Sequence, residues 1–169
     1  QLFPIQDLAF RTILMFESRL EKRNITLEGL DSEPVQVWGD PDLIGQVIYN
    51  LFENATKFVN TGGTITFTFK DEPNSTSIAI RNTGAGISKE ELPKIFERFY
   101  KSDDSRSHDK TGLGIGLDIT KHIVRLHKAQ ISVSSEEGEY TEFLIRLPKK
   151  DAPAESPTEN PEKQPKDAR

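Results

Sequence analysis

Apolar residues recur at helical spacing in three segments of the chain. In residues 4–22 they stand among charged residues, which predicts a partly buried helix with Pro4 near its start. Residues 40–58 carry a wider apolar stripe that includes Phe58, behind an Asp40-Pro41 pair typical of a helix N-cap and first turn. The same spacing predicts a third long helix over residues 116–126, and a short helix is expected near residues 89–96.

Shorter segments between these helices alternate apolar and polar residues, as strands do. Residues 64–70 (TITFTFK) and 77–81 (SIAIR) predict an adjacent antiparallel pair. Further extended runs lie at residues 25–30, 35–38, 131–134 and 141–147, with a Glu-Gly-Glu turn between the last two. Because helices and strands arrive in alternating groups, the order favours a mixed β-sheet covered on one face by about three helices.

The composition argues against several classes of function. The chain has 169 residues, and its 22 Lys and Arg against 27 Asp and Glu give a net charge of −5. A mildly acidic chain is poorly suited to bind nucleic acid or anionic membranes. The absence of cysteine excludes disulfides, thiolate nucleophiles and Cys-ligated zinc, and only three histidines are available to a metal. No apolar run approaches the ~18 residues of a membrane span.

The last residues of the chain differ from the rest in composition. Residues 151–169 contain no large apolar side chain, and a proline stands at every fourth position from Pro153 to Pro165. Such a segment buries too little apolar surface to offset its ordering entropy, and its prolines forbid a regular helix. We therefore expect one domain over residues 1–150 and a disordered tail over residues 151–169.

The second long helix carries the first cluster of polar residues that are candidates for ligand or metal binding. Asn50, Asn54 and Lys57 share one helical face, with Glu53 beside them. An amide oxygen is a neutral, hard ligand that suits Mg²⁺ already holding phosphates, and a lysine can compensate phosphate charge. An ordinary exposed polar face is the alternative interpretation.

A glycine-containing turn follows the strand that ends near residue 81. Its sequence is Asn82-Thr-Gly84-Ala-Gly86-Ile87. Two glycines two residues apart allow the backbone to approach a flat ligand closely, and Asn82 is placed to hydrogen-bond a base edge. An ordinary turn would have the same glycines.

An aromatic and basic segment comes next. Residues 95–101 (IFERFYK) place Phe96 and Phe99 where they can anchor a mobile loop to the core, and Lys101 and Arg106 are spaced to reach anionic oxygens from that loop. A solvated charged loop with a local aromatic cluster is the alternative.

A third glycine cluster runs into the last helix. Gly112, Gly114 and Gly116 leave backbone N–H groups accessible at a helix N-terminus, where the helix dipole favours phosphate. The spacing is neither G-x-G-x-x-G nor the P-loop pattern, which argues against a dinucleotide-binding fold and a P-loop fold.

In their order and spacing, these four motifs resemble those of the catalytic ATP-binding domain of bacterial sensor histidine kinases. Those domains belong to the wider gyrase, chaperone and histidine-kinase ATPase superfamily, and the resemblance covers about residues 1–148. Residues 50–58, 82–87, 95–101 and 112–117 are similar to its N, G1, F and G2 boxes, and residues 138–148 to its closing segment. The implied fold is α/β: a two-layer sandwich with a mixed sheet of about five strands and about three helices on one face.

The resemblance implies a role for each matching residue. Asn54 would be the main Mg²⁺ ligand and Asn50 its helper, Lys57 would contact phosphate, and Phe58 would pack on adenine. Lys101 and Arg106 would approach the γ-phosphate of ATP from the lid, so that they, with Asn50, are the expected catalytic residues. The remaining positions expected to bind the cofactor, Mg-ATP, are Asn82, Gly84, Gly86, Ile87, Thr111, Gly112, Leu113, Gly114, Ile115, Gly116 and Leu117.

The implied activity is transfer of the γ-phosphoryl group to a histidine on a dimerisation domain, and from there to a response regulator. Nothing before residue 26 contains a histidine, so we expect an excised, monomeric domain from a homodimeric sensor, located in the cytoplasm. His108 is interpreted as part of the lid, and His122 and His127 as structural.

Two alternatives stay open, and the first, an ATP hydrolase or Ser kinase of the superfamily, is disfavoured by Asn50. ATP hydrolases and Ser kinases of the superfamily have a Glu as general base where this chain has Asn50, and a neutral amide cannot take a proton. Asn82 stands where the family usually has Asp; since an amide can also donate, we hypothesise weaker discrimination against guanine. Tyr140 also departs from the family, because it replaces the second Gly of the closing segment. Asn82 and Tyr140 together make a nucleotide-sensing module that transfers no phosphoryl group the second alternative.

Overall fold

The computed structural model describes residues 1–96 and 115–151. Its helices are α1 Ile5–Met15, α2 Glu17–Lys22, α3 Pro41–Phe58 and α4 Ile115–Leu126. Two of the helix predictions need correction. Residues 4–22 form two helices, because Phe16 leaves helical geometry (φ −110°, ψ 6°) and turns its buried ring onto Tyr49 and Phe52. Around residues 89–96 there is one 3-10 turn, Leu92–Lys94, in place of a helix.

The described residues form seven strands: β1 Leu2–Pro4, β2 Thr26–Glu28, β3 Gln36–Trp38, β4 Thr64–Asp71, β5 Ser75–Thr83, β6 Gln130–Glu136 and β7 Tyr140–Pro148. Five of them make one sheet in the order β2-β4-β5-β7-β6, and β1 pairs with β3 in a separate two-stranded sheet. The β2–β4 pair is parallel and the other pairs of the large sheet are antiparallel. The predicted mixed five-stranded sheet and its β4–β5 pair are thus confirmed, and β1 is an addition.

Strand register gives the large sheet one apolar face. Ile65, Phe67 and Phe69 of β4 lie opposite Asn82, Ile80 and Ile78 of β5. On the other side of β5, Ile78 and Ile80 lie opposite Ile145 and Phe143 of β7. These apolar side chains are buried and belong to the core. At one end of this face the pattern changes, because Asn82 is polar yet buried.

Helix α3 lies at the centre of the helical layer. Its apolar stripe buries Val47, Ile48, Leu51, Phe52 and Ala55. The ring of Phe52 stacks on Phe67 of the sheet, with centroids 5.6 Å apart. Helices α1 and α4 flank α3, and Ile5, Ile78 and Ile123 meet around one small gap in the core. The layer therefore fixes α3 against the apolar face of the sheet.

Hydrogen bonds fix the first turn of α3. The Asp40 carboxylate accepts from the backbone N–H groups of Asp42 and Leu43, which confirms the predicted N-cap. His127 Nε2 accepts from the Asp40 N–H, and its Nδ1 lies 2.9 Å from the Ile123 carbonyl. A neutral imidazole protonated on Nδ1 satisfies both contacts, which agrees with a structural role for His127.

An arginine of the α2–β2 connection holds the other end of α3. The Arg23 guanidinium donates to the carbonyls of Thr56 and Val59, and its own carbonyl accepts from Gly62 N–H. Arg19 adds a bond to the Thr56 hydroxyl at 3.1 Å. Because the last carbonyls of a helix lack intrahelical partners, Arg23 acts as a side-chain cap.

Candidate functional site

One amide of α3, that of Asn50, meets the start of α4. Asn50 Nδ2 lies 3.3 Å from the Gly116 carbonyl and 3.3 Å from the hydroxyl of Thr120, and donates to both. Thr120 is completely buried, so this contact belongs to the α3–α4 interface. The structure therefore brings the first and fourth motifs together, as far as the fourth is described.

The orientation of Asn50 bears on metal binding. Because its NH₂ group is committed to α4, its Oδ1 is the atom left to accept or to ligate. Asn54 follows one turn later on α3 and is half-buried. Within residues 1–96 and 115–151 no three His, Cys, Asp or Glu side chains cluster as a metal cage. Neutral amide oxygens fit Mg²⁺ that brings phosphate and water ligands with it.

Lys57 closes the polar face of α3. Its Nζ lies 3.8 Å from the Glu53 carboxylate, four residues earlier on the helix. Half-exposed pairs of this kind contribute only about 0.3–0.5 kcal/mol. An anionic ligand can therefore compete with Glu53 for the ammonium.

Phe58 departs from its predicted place in the apolar stripe. It ends α3 with 43% of its surface exposed, whereas the neighbouring Val59 is buried. The prediction that Phe58 belongs to the buried stripe is therefore wrong, because α3 ends at this residue and its ring is exposed. The exposed ring still suits a flat ligand.

The glycines of the second motif approach protein backbone. Gly84 has φ +146°, and a Cβ on it would lie 2.4 Å from the Phe58 carbonyl oxygen. Gly86 has φ +72°, and its Cβ would lie 2.5 Å from the Glu136 carbonyl oxygen. The expected close approach is thus present, but its partners in the structure are the end of α3 and the β6–β7 hairpin. We call residues 84–87 the G1 loop.

Substitution of Gly86 tests this packing. We expect Gly86→Ala to lower the free energy of unfolding by more than the ~1–2 kcal/mol that a left-handed φ costs an L-residue, because the methyl group also meets the Glu136 carbonyl. Gly138→Ala is the control, since Gly138 has φ +81° and nothing within 4 Å of an added Cβ. Equal losses in urea denaturation for the two variants would contradict the contact.

Asn82 stands where the G1 loop leaves the sheet. It is 4% exposed, and its Nδ2 donates to the Thr83 carbonyl at 3.0 Å. Only the NH₂ end of an amide can bond a carbonyl, so Oδ1 is the end that remains to accept from a ligand. The backbone has thus selected one of the two orientations of the amide.

Residues 39–151 match the family model described as histidine kinase-, DNA gyrase B- and HSP90-like ATPase. The chain belongs to this family.

Sensor proteins are among the relatives of this ATPase domain. The sensor protein SrrB of Staphylococcus aureus (strain NCTC 8325 / PS 47) is 41% identical over 115 residues, which is 68% of this chain and 20% of SrrB. The match thus spans about a fifth of the relative's length. Among the residues that the structure describes, no helix combines the length and apolar character needed to cross a bilayer.

Solved structures of histidine kinases share the fold of this ATPase domain. The nucleotide-free catalytic domain of the histidine kinase ThkA superposes with a TM-score of 0.75 at 28% identity, covering 88% of this chain and 95% of that one. ThkA in complex with its response regulator TrrA gives 0.72 at 26% identity, covering 88% and 41%. The described sheet and helices therefore have the fold of histidine kinase catalytic domains.

The third motif of the ATPase domain is anchored as predicted where it is described. Ile95 is 5% exposed, and the Phe96 ring meets Phe143 edge-on with centroids 6.2 Å apart. The other predicted residues of this region, Phe99, Lys101, Arg106, His108, Thr111, Gly112, Leu113 and Gly114, lie outside the described residues, as does the predicted tail after residue 151. The backbone of Ile115 begins α4, and Leu117 packs against the core.

Two residues beside Asn82 were missed by the sequence analysis. Thr141 of β7 pairs with Asn82 in register, and Ser135 of β6 pairs with Thr141. The alternation of β7 contains the signal, because Thr141 shares its face with Phe143, Ile145 and Leu147 and is itself 6% exposed. A polar residue at an inward position next to a glycine turn marks the end of the apolar face.

Proposed function

We propose that the chain is the catalytic ATP-binding domain of a sensor histidine kinase. It binds Mg-ATP and donates the γ-phosphoryl group to a histidine on a separate dimerisation domain. The supporting observation is the bond of Asn50 to the start of α4. This bond holds the polar face of α3 at the first turn of α4, and a helix N-terminus is where backbone N–H groups and the helix dipole favour phosphate.

In this proposal each part of the site contacts one part of the nucleotide. Asn54 and Asn50 hold Mg²⁺, which would supply charge neutralisation for the phosphates. Lys57 contacts phosphate in exchange for its pair with Glu53. Phe58 packs on the adenine ring and Asn82 accepts from its amino group. Lys101, Arg106 and residues 111–117 are proposed at the phosphates on the family resemblance.

The proposed reaction needs no proton acceptor from this chain. The bond from the γ-phosphorus to the β-γ bridging oxygen breaks, a bond from phosphorus to the histidine nitrogen forms, and ADP leaves. The contribution of the domain is to position the phosphates and stabilise their charge. Since Asn50 donates to Gly116 and carries no charge, it cannot activate water, and we do not favour a hydrolase.

The proposed partners are the histidine-bearing dimerisation domain and, downstream, a response regulator. ThkA is a relative found in complex with a response regulator, TrrA. We further propose that residues 1–150 make up the ATP-binding unit, with the tail beyond it, and that the parent sensor is homodimeric.

A transfer assay tests this function. The chain, Mg²⁺ and γ-³²P-labelled ATP are mixed with a separately prepared histidine-bearing hairpin of the parent sensor. We expect acid-labile, base-stable label on the hairpin, because phosphohistidine has that stability. The hairpin with its histidine replaced by alanine is the control.

Other outcomes separate the alternatives. Nucleotide binding without label on the hairpin would indicate a sensing module. Release of inorganic phosphate by the chain alone would indicate a hydrolase. An isothermal titration without heat for Mg-ATP or Mg-ADP would contradict nucleotide binding itself.

A further inference from the structure

The hydroxyl of Ser135 joins three separate pieces of the site. Its Oγ accepts from the Ile87 N–H at 2.7 Å and donates to the Tyr140 carbonyl at 2.6 Å. The same oxygen lies 3.2 Å from the Thr141 hydroxyl. One side chain on β6 therefore contacts the G1 loop, the first residue of β7 and the neighbour of Asn82.

Other contacts between the G1 loop and the β6–β7 hairpin involve backbone alone. Gly138 N–H donates to the Ala85 carbonyl at 2.6 Å, and Gly84 N–H to the Glu139 carbonyl at 3.2 Å. Both lie at the loop's first half. Ser135 holds the second half, where Gly86 leaves room for it: a Cβ on Gly86 would lie 3.0 Å from its oxygen.

Removal of the hydroxyl would leave the Ile87 N–H without the partner it has in the structure. A loop amide that loses its acceptor must find water or move, and either response shifts the loop relative to Asn82. The phosphate side, formed by Asn50, Asn54 and the start of α4, shares none of these bonds. A change at Ser135 is therefore expected to alter the half of the site near Asn82 without altering the phosphate half.

We propose that Ser135 is a positioning residue for the base half of the nucleotide site. It acts through the Ile87 backbone and Thr141 without touching the phosphates. This inference rests on the proposed function, since it presupposes that an adenine nucleotide binds with its base beside the G1 loop.

The test compares Ser135→Ala with Ser134→Ala. Ser134 is the adjacent serine of β6, exposed on the opposite face of the strand, so its loss alters the same chemistry away from the site. For Ser135→Ala we expect the Kd values of both Mg-ATP and Mg-ADP to rise by the same factor, about tenfold, at unchanged apparent Mg²⁺ affinity. For Ser134→Ala we expect both to stay within about twofold of wild type.

An equal rise in the Kd values of Mg-ATP and Mg-ADP, with unchanged Mg²⁺ affinity, distinguishes a change in base positioning from a loosening of the whole site. A loss confined to ATP, or a weaker Mg²⁺ affinity, would place the effect at the phosphates and overturn the inference. Unchanged Kd values for Ser135→Ala would overturn it as well. If the alanine variant does not fold, the near-isosteric Ser135→Cys, whose thiol bonds weakly, undergoes the same titrations. Absence of binding by the wild type would instead contradict the proposed function.

Discussion

Replacement of Asn54 by alanine is expected to abolish Mg²⁺-dependent binding of ATP while the fold is retained. Asn54 is half-buried on α3, one turn beyond the Asn50 amide that contacts α4. Since loss of groups that merely support metal ligands costs about 10–100-fold, loss of a ligand should cost at least ~100-fold in affinity. Titration calorimetry with Mg-ATP, repeated with EDTA, measures the effect, and circular dichroism checks the fold.

Two further variants define the cause. Gln46→Ala removes an exposed amide two turns earlier on the same helix and should leave binding unchanged. Asn54→Asp keeps an oxygen ligand and should retain metal-dependent binding. If Asn54 acted only as a hydrogen-bond donor through its NH₂ group, this variant would lose binding. If Asn54→Ala binds Mg-ATP like wild type, the metal is held elsewhere.

The second large effect concerns the choice between adenine and guanine. Asn82 gives one of its two N–H groups to the Thr83 carbonyl, which leaves Oδ1 to accept from the adenine amino group and a second N–H able to donate to the guanine oxygen. An aspartate at this position, which is 4% exposed, has no such donor, so guanine would set its oxygen against a buried carboxylate at a cost of about 1–3 kcal/mol, or roughly tenfold in selectivity. The weaker discrimination hypothesised from the sequence therefore stays a prediction.

We expect the wild type to prefer ATP over GTP less strongly than Asn82→Asp does, by about tenfold, and Asn82→Ala to lose most of the preference. Competition between the two nucleotides for one fluorescent analogue gives the ratio for each variant. Asn74→Asp, in the exposed β4–β5 turn at the far end of the same strands, controls for added charge. A preference in the wild type that equals or exceeds that of Asn82→Asp would contradict the hypothesis.

Much of this fold follows from local pattern. The period-two segments gave β4 and β5 and their pairing, and the Asp40-Pro41 pair gave the start of α3, because these signals depend on neighbours in sequence. The spacing of Asn50 and Asn54 also predicted a shared face. Tertiary packing of α3 on α4 brings that face to Gly116. This packing cannot be predicted from a local sequence pattern.

The failures have equally specific causes. The helix breaks at Phe16 because its ring packs on Tyr49 and Phe52 across the helical layer. The apolar spacing of the sequence continues past Phe16 without a sign of this break, so it predicted one helix. The glycines at 84 and 86 predicted close approach without naming the partner, because the partners are the carbonyls of Phe58 and Glu136, distant in sequence. Arg23 gave no signal, since a basic residue in a charged segment is indistinguishable from surface.

The Arg23 cap has a consequence for where the folding unit begins. The family signature starts at residue 39, yet Arg23 closes the end of α3, and the core includes Ile5, Leu8 and Leu20 from before that point. A domain boundary placed at residue 39 would remove these side chains and expose the apolar surface of α3 that they cover. The smallest autonomous unit therefore extends upstream of the recognisable motif.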